Sequence, residues 1–170
     1  MPGLAAIITG TCTGHGVAIP ANIHNVNPCN ALPACPPGPT PTKPVSVKNA
    51  SCLWPPTKLT PLDPTALART VFINGITPLC DGDMLKYHKS PTTNIVIVPI
   101  GSKCKPKTFN CNCSRLTTED LFGRGHDRIV KATTTTVFVN GKRLAAVGDP
   151  LGPPCLSVIG RGSTNVIVGK

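Results

Sequence analysis

The side chains of this 170-residue chain that could do chemistry together are three histidines and one cysteine in loops. His126 stands eleven residues before Val137, and Cys155 stands eleven residues before Val166. Because both valines begin the same kind of β-type run, His126 and Cys155 occupy equivalent places in loops that lead into a strand. Imidazole nitrogens and a thiolate are ligands that suit tetrahedral zinc.

Two more histidines complete a set of four. His88 follows the Gly-Asp at 82–83 by five residues, and Cys155 follows the Gly-Asp at 148–149 by six, so both leave a Gly-Asp turn. His15 lies in a glycine-flanked loop, GHG, near the start. Four protein ligands leave no open coordination position, so we expect one structural ion whose binding contributes to folding. The predicted ligands are His15, His88, His126 and Cys155, while His24 is an alternative ligand or a loop residue.

A repeated β-hairpin pattern positions these loops. The stretches TVFINGITPLCDGD (70–83) and VFVNGKRLAAVGD (137–149) both have six residues between an Asn-Gly and a Gly-Asp. Asn-Gly supplies the two positive-φ positions of a type I′ turn between short strands. The predicted turn residues of the two copies are Asn74, Gly75, Gly82, Asp83, Asn140, Gly141, Gly148 and Asp149.

Two further stretches resemble the first strand of the pattern. Residues 163–169 (STNVIVG) keep the strand and one glycine, and the chain stops where a return strand would begin. Residues 93–98 (TNIVIV) precede Pro99, which predicts a strand at the edge of a sheet. The apolar run at 2–8 is either an ordinary first strand or part of a docking face.

Composition favours one all-β domain over residues 1–170. Twenty prolines and sixteen glycines accompany only 4% aromatic residues, and helical periodicity is limited to about two turns within 116–122. Two irregular proline- and cysteine-rich stretches, about 27–69 and 99–121, are predicted to be insertions between the hairpins. The first ten residues lack the features of a signal peptide or a membrane span, so we expect no secretory leader.

Eight cysteines remain when Cys155 is assigned to the metal. They are compatible with up to four disulfides, but free thiols or a second metal site around residues 104–113 are alternatives. The net charge of +10 would suit an anionic partner, although no basic run with interleaved aromatics indicates nucleic-acid binding. The candidate disulfide cysteines are Cys12, Cys29, Cys35, Cys52, Cys80, Cys104, Cys111 and Cys113.

Taken together, these motifs resemble the PAAR-repeat proteins, which cap the membrane-piercing spikes of contractile phage tails and type VI secretion systems. The resemblance rests on GHG (14–16), the two hairpin copies, GHDRIV (125–130) and GSTNVIVG (162–169). It is densest over 70–88 and 122–170 and weak over 27–69 and 99–121. The tetrapeptide Pro-Ala-Ala-Arg is absent, which favours a divergent, PAAR-like member.

The resemblance implies a small conical structure of short hairpins, with one zinc ion near the apex held by His15, His88, His126 and Cys155. Iron is an alternative metal. It also implies a non-enzymatic tip, one monomer per trimeric β-helical spike, in transient contact with a bacterial outer membrane. The implied location is the baseplate spike of a phage virion, or alternatively a protein secreted by a type VI apparatus.

Two other functions compete with the spike-tip interpretation. A cysteine-rich extracellular protein could bind an anionic polymer through its basic surface, without metal or trimeric partner. A zinc hydrolase would place Asp83, His88 and Asp149 around a metal-bound water, but the repetition of the two aspartates favours turn residues.

Overall fold

The structure is a computed structural model that describes residues 3–19, 22–24, 45–47, 50–67, 69–89, 92–99, 107–112, 119 and 125–169. It is strand-rich, and the described part contains one helical turn, a 3-10 turn at Thr65–Leu67. The all-β prediction is therefore confirmed at this level, whereas 116–122, apart from Glu119, lies outside the described residues. No helix in the described ranges is long and apolar enough to cross a membrane. The strands are β1 (Gly3–Leu4), β2 (Thr11–Cys12), β3 (His15–Ile19), β4 (Asn22–His24), β5 (Val45–Val47), β6 (Ala50–Trp54), β7 (Met84–Lys89), β8 (Thr92–Pro99), β9 (Lys107–Asn112), β10 (Gly125–Ile129), β11 (Phe138–Val139), β12 (Lys142–Arg143), β13 (Ile159–Arg161) and β14 (Ile167–Val168).

The chain divides into two compact units. Unit 1 comprises Met1–His15, Trp54–His88 and His126–Lys170, and unit 2 comprises Gly16–Leu53 and Lys89–Gly125. Part of the predicted first insertion, residues 55–67, belongs to unit 1, where Leu59 and Leu67 are buried. Proline content alone therefore did not locate the boundary, because a proline-rich segment can still contribute core residues.

Unit 2 contains a four-stranded antiparallel sheet in the order β4-β5-β8-β9. Strand β8 is interior, between β5 and β9, so the predicted edge position of residues 93–98 is wrong. Pro99 is the last residue of β8, opposite Val45. A proline at a strand end removes only one N–H from the ladder, and this loss does not prevent a neighbour from pairing.

Three segments of unit 1 have the same pattern of backbone hydrogen bonds, which join them in closed rings. The amide of Ala6 donates to the carbonyl of Ala145 (2.8 Å), that of Ala145 to Leu79 (2.9 Å), and that of Leu79 to Ala6 (2.9 Å). The ring closes on itself, and its members are offset by 73 residues (6 to 79) and then 66 residues (79 to 145). A second ring with the same offsets joins Ile8 to Thr77, Asp81 to Arg143 and Val147 to Leu4.

The first copy is assembled from both ends of the chain. Strand β1 pairs with β14 through Gly3 opposite Val168 and Leu4 opposite Ile167. This register matches the pairing of β11 with β12. The return strand that residues 163–169 lack is therefore supplied by the N-terminal segment. Ala5, Ala6 and Ile7 are buried, so this part of the apolar run at 2–8 belongs to the core, whereas Leu4 is 36% exposed.

The two Asn-Gly pairs have the backbone that a type I′ turn requires. Asn74 and Gly75 have φ values of 51° and 73°, and Asn140 and Gly141 have 51° and 77°. The flanking residues pair across each turn, Ile73 with Ile76 and β11 with β12. Asparagine and glycine are the residues that adopt such conformations most readily.

The two Gly-Asp pairs also have the same structure. Asp83 accepts a hydrogen bond from the amide of Cys80, three residues earlier, at 2.8 Å. Asp149 accepts the corresponding bond from Ala146, also at 2.8 Å. Both aspartates are buried and close tight turns, which agrees with their predicted role as turn residues.

Three equivalent buried residues continue the repeated arrangement beyond the hairpins of unit 1. Beyond the Gly-Asp turns, the amides of Leu59, Val130 and Ile159 donate to the carbonyls of Gly10, Asp83 and Asp149 at 2.9–3.0 Å. These three apolar side chains have no exposed surface. They fix the direction of the chain segments on either side, which carry the candidate metal ligands.

Candidate metal centre

The structure brings together the four residues that the sequence predicts as metal ligands. One potential ligand atom from each of His15, His88, His126 and Cys155 lies within 4.8 Å of the others. His15 begins β3, His88 is in β7, His126 is in β10, and Cys155 precedes β13. The last three are buried and His15 is half-buried. This group could hold a metal ion.

Two of the distances between ligand atoms are close to those of tetrahedral coordination, and all lie within 4.8 Å. Nε2 of His15 lies 3.2 Å from Nε2 of His126, and Sγ of Cys155 lies 3.8 Å from Nε2 of His15. Bonds of about 2.0–2.3 Å to zinc place the corners of a tetrahedron about 3.3–3.8 Å apart. Small adjustments of the rings would therefore bring the ligand atoms into a common coordination sphere.

The threefold register explains why these positions converge. His15 and His88 are separated by 73 residues, the offset between the first and second copies, so they occupy equivalent places after a turn. His126 and Cys155 each lie four residues before an equivalent buried residue, Val130 or Ile159. The predicted equivalence of His126 and Cys155 therefore agrees with the register, whereas the counterpart of His88 is His15 rather than Cys155. The first copy has Thr9-Gly10 where the others have Gly-Asp, which hid this relation in the sequence.

A hydrogen-bond network orients His88. Its Nε2 lies 2.6 Å from Oγ1 of Thr57, which also accepts a bond from Nη1 of Arg128 at 3.0 Å. Arg128 in turn donates two bonds, at 2.8 and 2.6 Å, to the carbonyl of Lys86. Since Nε2 is engaged by Thr57, Nδ1 is the nitrogen that His88 would offer to an ion. Such outer partners fix the orientation of metal-bound histidines.

Trp54 is the aromatic neighbour of the centre, and sequence reasoning did not identify it. Its ring stacks on His15, with centroids 5.1 Å apart and planes 5° apart, and it lies 4.9 Å from the ring of His126. In the sequence, only the equivalence of Leu59 with Val130 indicates that Trp54 lies near the candidate ligands. Residue 55 lies four residues before Leu59, as His126 lies before Val130, so Trp54 adjoins the place that a ligand occupies in the other copies.

Two predicted disulfide cysteines do not form disulfides in the structure. Cys12 and Cys80 are buried thiols in separate surroundings. Cys12 accepts a bond from the amide of Thr57 at 3.3 Å, and its Sγ lies 4.0 Å from Nε2 of His88. Cys80 accepts a bond from Nε of Arg69 at 3.3 Å. Both cysteines occupy positions of the threefold core, where their neighbours in the register are apolar, so packing explains their burial. The side chains of Cys29, Cys35, Cys52, Cys104, Cys111 and Cys113 lie outside the described part.

The surroundings shift the pKa values of these two thiols in opposite directions. Burial acts to raise the pKa of Cys12, but hydrogen bonds with Thr57 and Ser157 and the charge of Arg128 outweigh it, so the pKa is lowered. Burial raises the pKa of Cys80 despite the hydrogen bond from Arg69. The thiol beside the metal ligands is therefore the more easily deprotonated of the two.

Histidine 24 and the two turn aspartates have other environments. His24 ends β4 in unit 2, and its side chain lies outside the described part.

Asp83 forms a buried ion pair with Arg69 at 2.5 Å, and Asp149 accepts a 2.6 Å bond from Thr133. The carboxylates that a hydrolase would use are thus engaged in turns and local bonds.

Comparison with known proteins identifies no relative: no protein-family model, curated protein or solved structure matches this chain.

Proposed function

We propose that this protein is a structural tip that caps a threefold-symmetric spike, as PAAR-like proteins do in contractile injection machines. The observation that carries the proposal is the threefold arrangement of unit 1, closed by rings of backbone hydrogen bonds between three copies. A single chain with this symmetry can present equivalent contacts to each subunit of a trimer. In the proposed cone, the hairpins form the base and the metal centre lies near the apex.

Three exposed apolar side chains occupy equivalent positions in the hairpin strands. Phe72 is 58% exposed, Phe138 55% and Ile167 69%. Phe72 and Phe138 are separated by the repeat offset of 66 residues. Ile167 is their equivalent because it pairs with Leu4 as Phe138 pairs with Arg143. Each directly precedes a buried strand residue, Ile73, Val139 or Val168. Repeated exposure of large apolar groups indicates a contact surface, and its threefold repetition fits a trimer. We name this set the base triad.

The metal centre would stabilise the tip mechanically. Three imidazoles and one thiolate suit zinc, and a set of four protein ligands is typical of structural rather than catalytic sites. The ligands come from chain positions far apart, between residues 15 and 155, so one ion would cross-link most of unit 1. Binding free energy at such a site becomes folding free energy. No chemical reaction is required of the protein.

The proposed setting is the spike of a phage baseplate, with a type VI apparatus as the alternative. The spike would be a trimeric β-helix that carries one tip monomer. A tip with net charge +10 would be attracted to the anionic outer membrane that it crosses.

The test of this proposal is the stoichiometry of a complex with a trimeric β-helical spike protein encoded beside this chain. Native mass spectrometry is expected to show one tip chain per spike trimer. Phe138→Glu should weaken the complex by at least about tenfold, because a charge would be buried against an apolar surface.

Leu62→Glu is the matched control, since Leu62 is 53% exposed but lies outside the hairpins. Equal weakening by both variants, or a complex with three tip chains per trimer, would contradict the proposed docking. Full binding by Phe138→Glu would contradict the base triad.

A further inference from the structure

The threefold register has two places without a ligand: Pro154 is the counterpart of His15 and His88, and Pro55 is the counterpart of His126 and Cys155. His126 lies four residues before the buried Val130, and Cys155 lies four residues before the equivalent Ile159. The segment entering Leu59 carries Pro55 at that place. Proline has no side-chain donor atom for a metal, so the segment entering Leu59 contributes no ligand at this place.

Trp54 lies beside that place, and its ring is directed at the ligands. Only 3% of its surface is exposed. It stacks face to face on His15 at 5.1 Å and contacts His126 at a tilt of 59°. Trp54 belongs to neither of the two apolar clusters that form the core of unit 1. The ring contacts of Trp54 among the described residues are with two of the candidate ligands, His15 and His126.

The chemistry of indole restricts what this residue can do. Its nitrogen is a hydrogen-bond donor without a basic lone pair, so Trp54 cannot replace the missing ligand. A flat ring stacked on a ligand imidazole can hold that imidazole in one orientation. The same ring occupies space that a water molecule would need in order to reach the ion, and water enters only where room and polar partners exist.

We propose that Trp54 is the positioning and shielding residue of the metal centre: it fixes the His15 ring and excludes water, so that a bound ion stays four-coordinate. This inference rests on the metal centre of the proposed function but not on docking to a spike. It assigns to the only tryptophan of the chain a role distinct from ordinary core packing.

The test compares cobalt-loaded variants of the full chain. Tetrahedral Co²⁺ absorbs visible light several times more strongly than five- or six-coordinate Co²⁺, so its spectrum reports water entry. Trp54→Leu keeps apolar volume but removes the stacked ring. It is expected to lower the visible absorptivity and to speed release of Co²⁺ to a chelator by about tenfold or more, the size typical of lost outer-shell support. Trp54→Phe, which keeps an aromatic face, should remain close to wild type.

Leu144→Ala is the control for a general loss of packing, since Leu144 is buried in the apolar cluster that contains none of the four candidate ligands. It should lower the melting temperature without changing the cobalt spectrum. A Trp54→Leu protein with wild-type spectrum and release rate would overturn the inference and leave the metal centre intact. A wild-type protein that binds no Co²⁺ would overturn both this inference and the proposed metal centre. If Trp54→Leu fails to fold, the rate of Co²⁺ release from Trp54→Phe is measured instead. An unchanged rate supports the aromatic role. A rate as high as that of His15→Ala contradicts it.

Discussion

Each candidate ligand belongs to a different stretch of chain, yet the four donor atoms converge within 4.8 Å. The candidate ligand set could be predicted because positions in the sequence repeat reflect equivalent positions in space, although the three histidines lie in β3, β7 and β10 rather than in the predicted loops. The supporting residues Thr57 and Trp54 could not. They belong to a proline-rich segment without hairpin motifs, and only the register of buried Leu59 with Val130 shows where that segment lies. Local patterns thus identified the candidate ligands but not the groups that orient them.

Removal of one ligand should strongly weaken metal binding. Cys155→Ser replaces the thiolate with a poor zinc ligand, and His126→Ala leaves an open position in a buried site. Either change is expected to lower the zinc bound per chain after chelator challenge from near one to well below one half, measured by elemental analysis.

Cys80→Ser is the matched control, because Cys80 is equally buried but bonded to Arg69 outside the metal group. It should keep its zinc. If Cys155→Ser kept zinc as well, Cys155 would not be a ligand.

At the scale of the elements, the hairpins were predictable because Asn-Gly and Gly-Asp are chemically specific turn signals. The first copy was recognised only in part, since it has neither signal and its two strands come from opposite ends of the chain. The edge position of residues 93–98 was predicted from Pro99 and was wrong, because strand order depends on pairing between distant segments that local sequence does not encode.

The turn glycines allow a direct test of the hairpin geometry. Gly141 has a φ of 77°, and a Cβ added there would meet no heavy atom within 4 Å. Gly141→Ala is therefore expected to lower the free energy of unfolding by about 1 kcal/mol through backbone strain alone. Chemical denaturation monitored by circular dichroism would measure the change.

Gly169→Ala serves as the comparison. Gly169 also has open space around its Cβ position, but its φ is not in the left-handed region. This variant should stay within about 0.5 kcal/mol of wild type, as is usual at surface positions. Equal stability of the two variants would show that the turn at 140–141 does not constrain the fold as described.

For the whole molecule, sequence reasoning reached the all-β class and the repetition but not the closed threefold arrangement. Threefold closure depends on backbone bonds among residues such as Ala6, Leu79 and Ala145, whose small or apolar side chains carry no distinctive signal. The division into two units was also beyond local patterns. The proposed function combines three observations: a His/Cys group that could hold a metal ion, the ring-closed backbone bonds of unit 1, and equivalent exposed apolar residues in the hairpins.

The most direct test of the central claim is X-ray absorption at the zinc edge of the purified, metal-loaded protein. The account predicts one zinc per chain with three nitrogen neighbours at about 2.0–2.1 Å and one sulfur at about 2.3 Å, with no water ligand. A protein without stoichiometric metal, or a zinc shell with two sulfurs or with oxygen in place of sulfur, would contradict it.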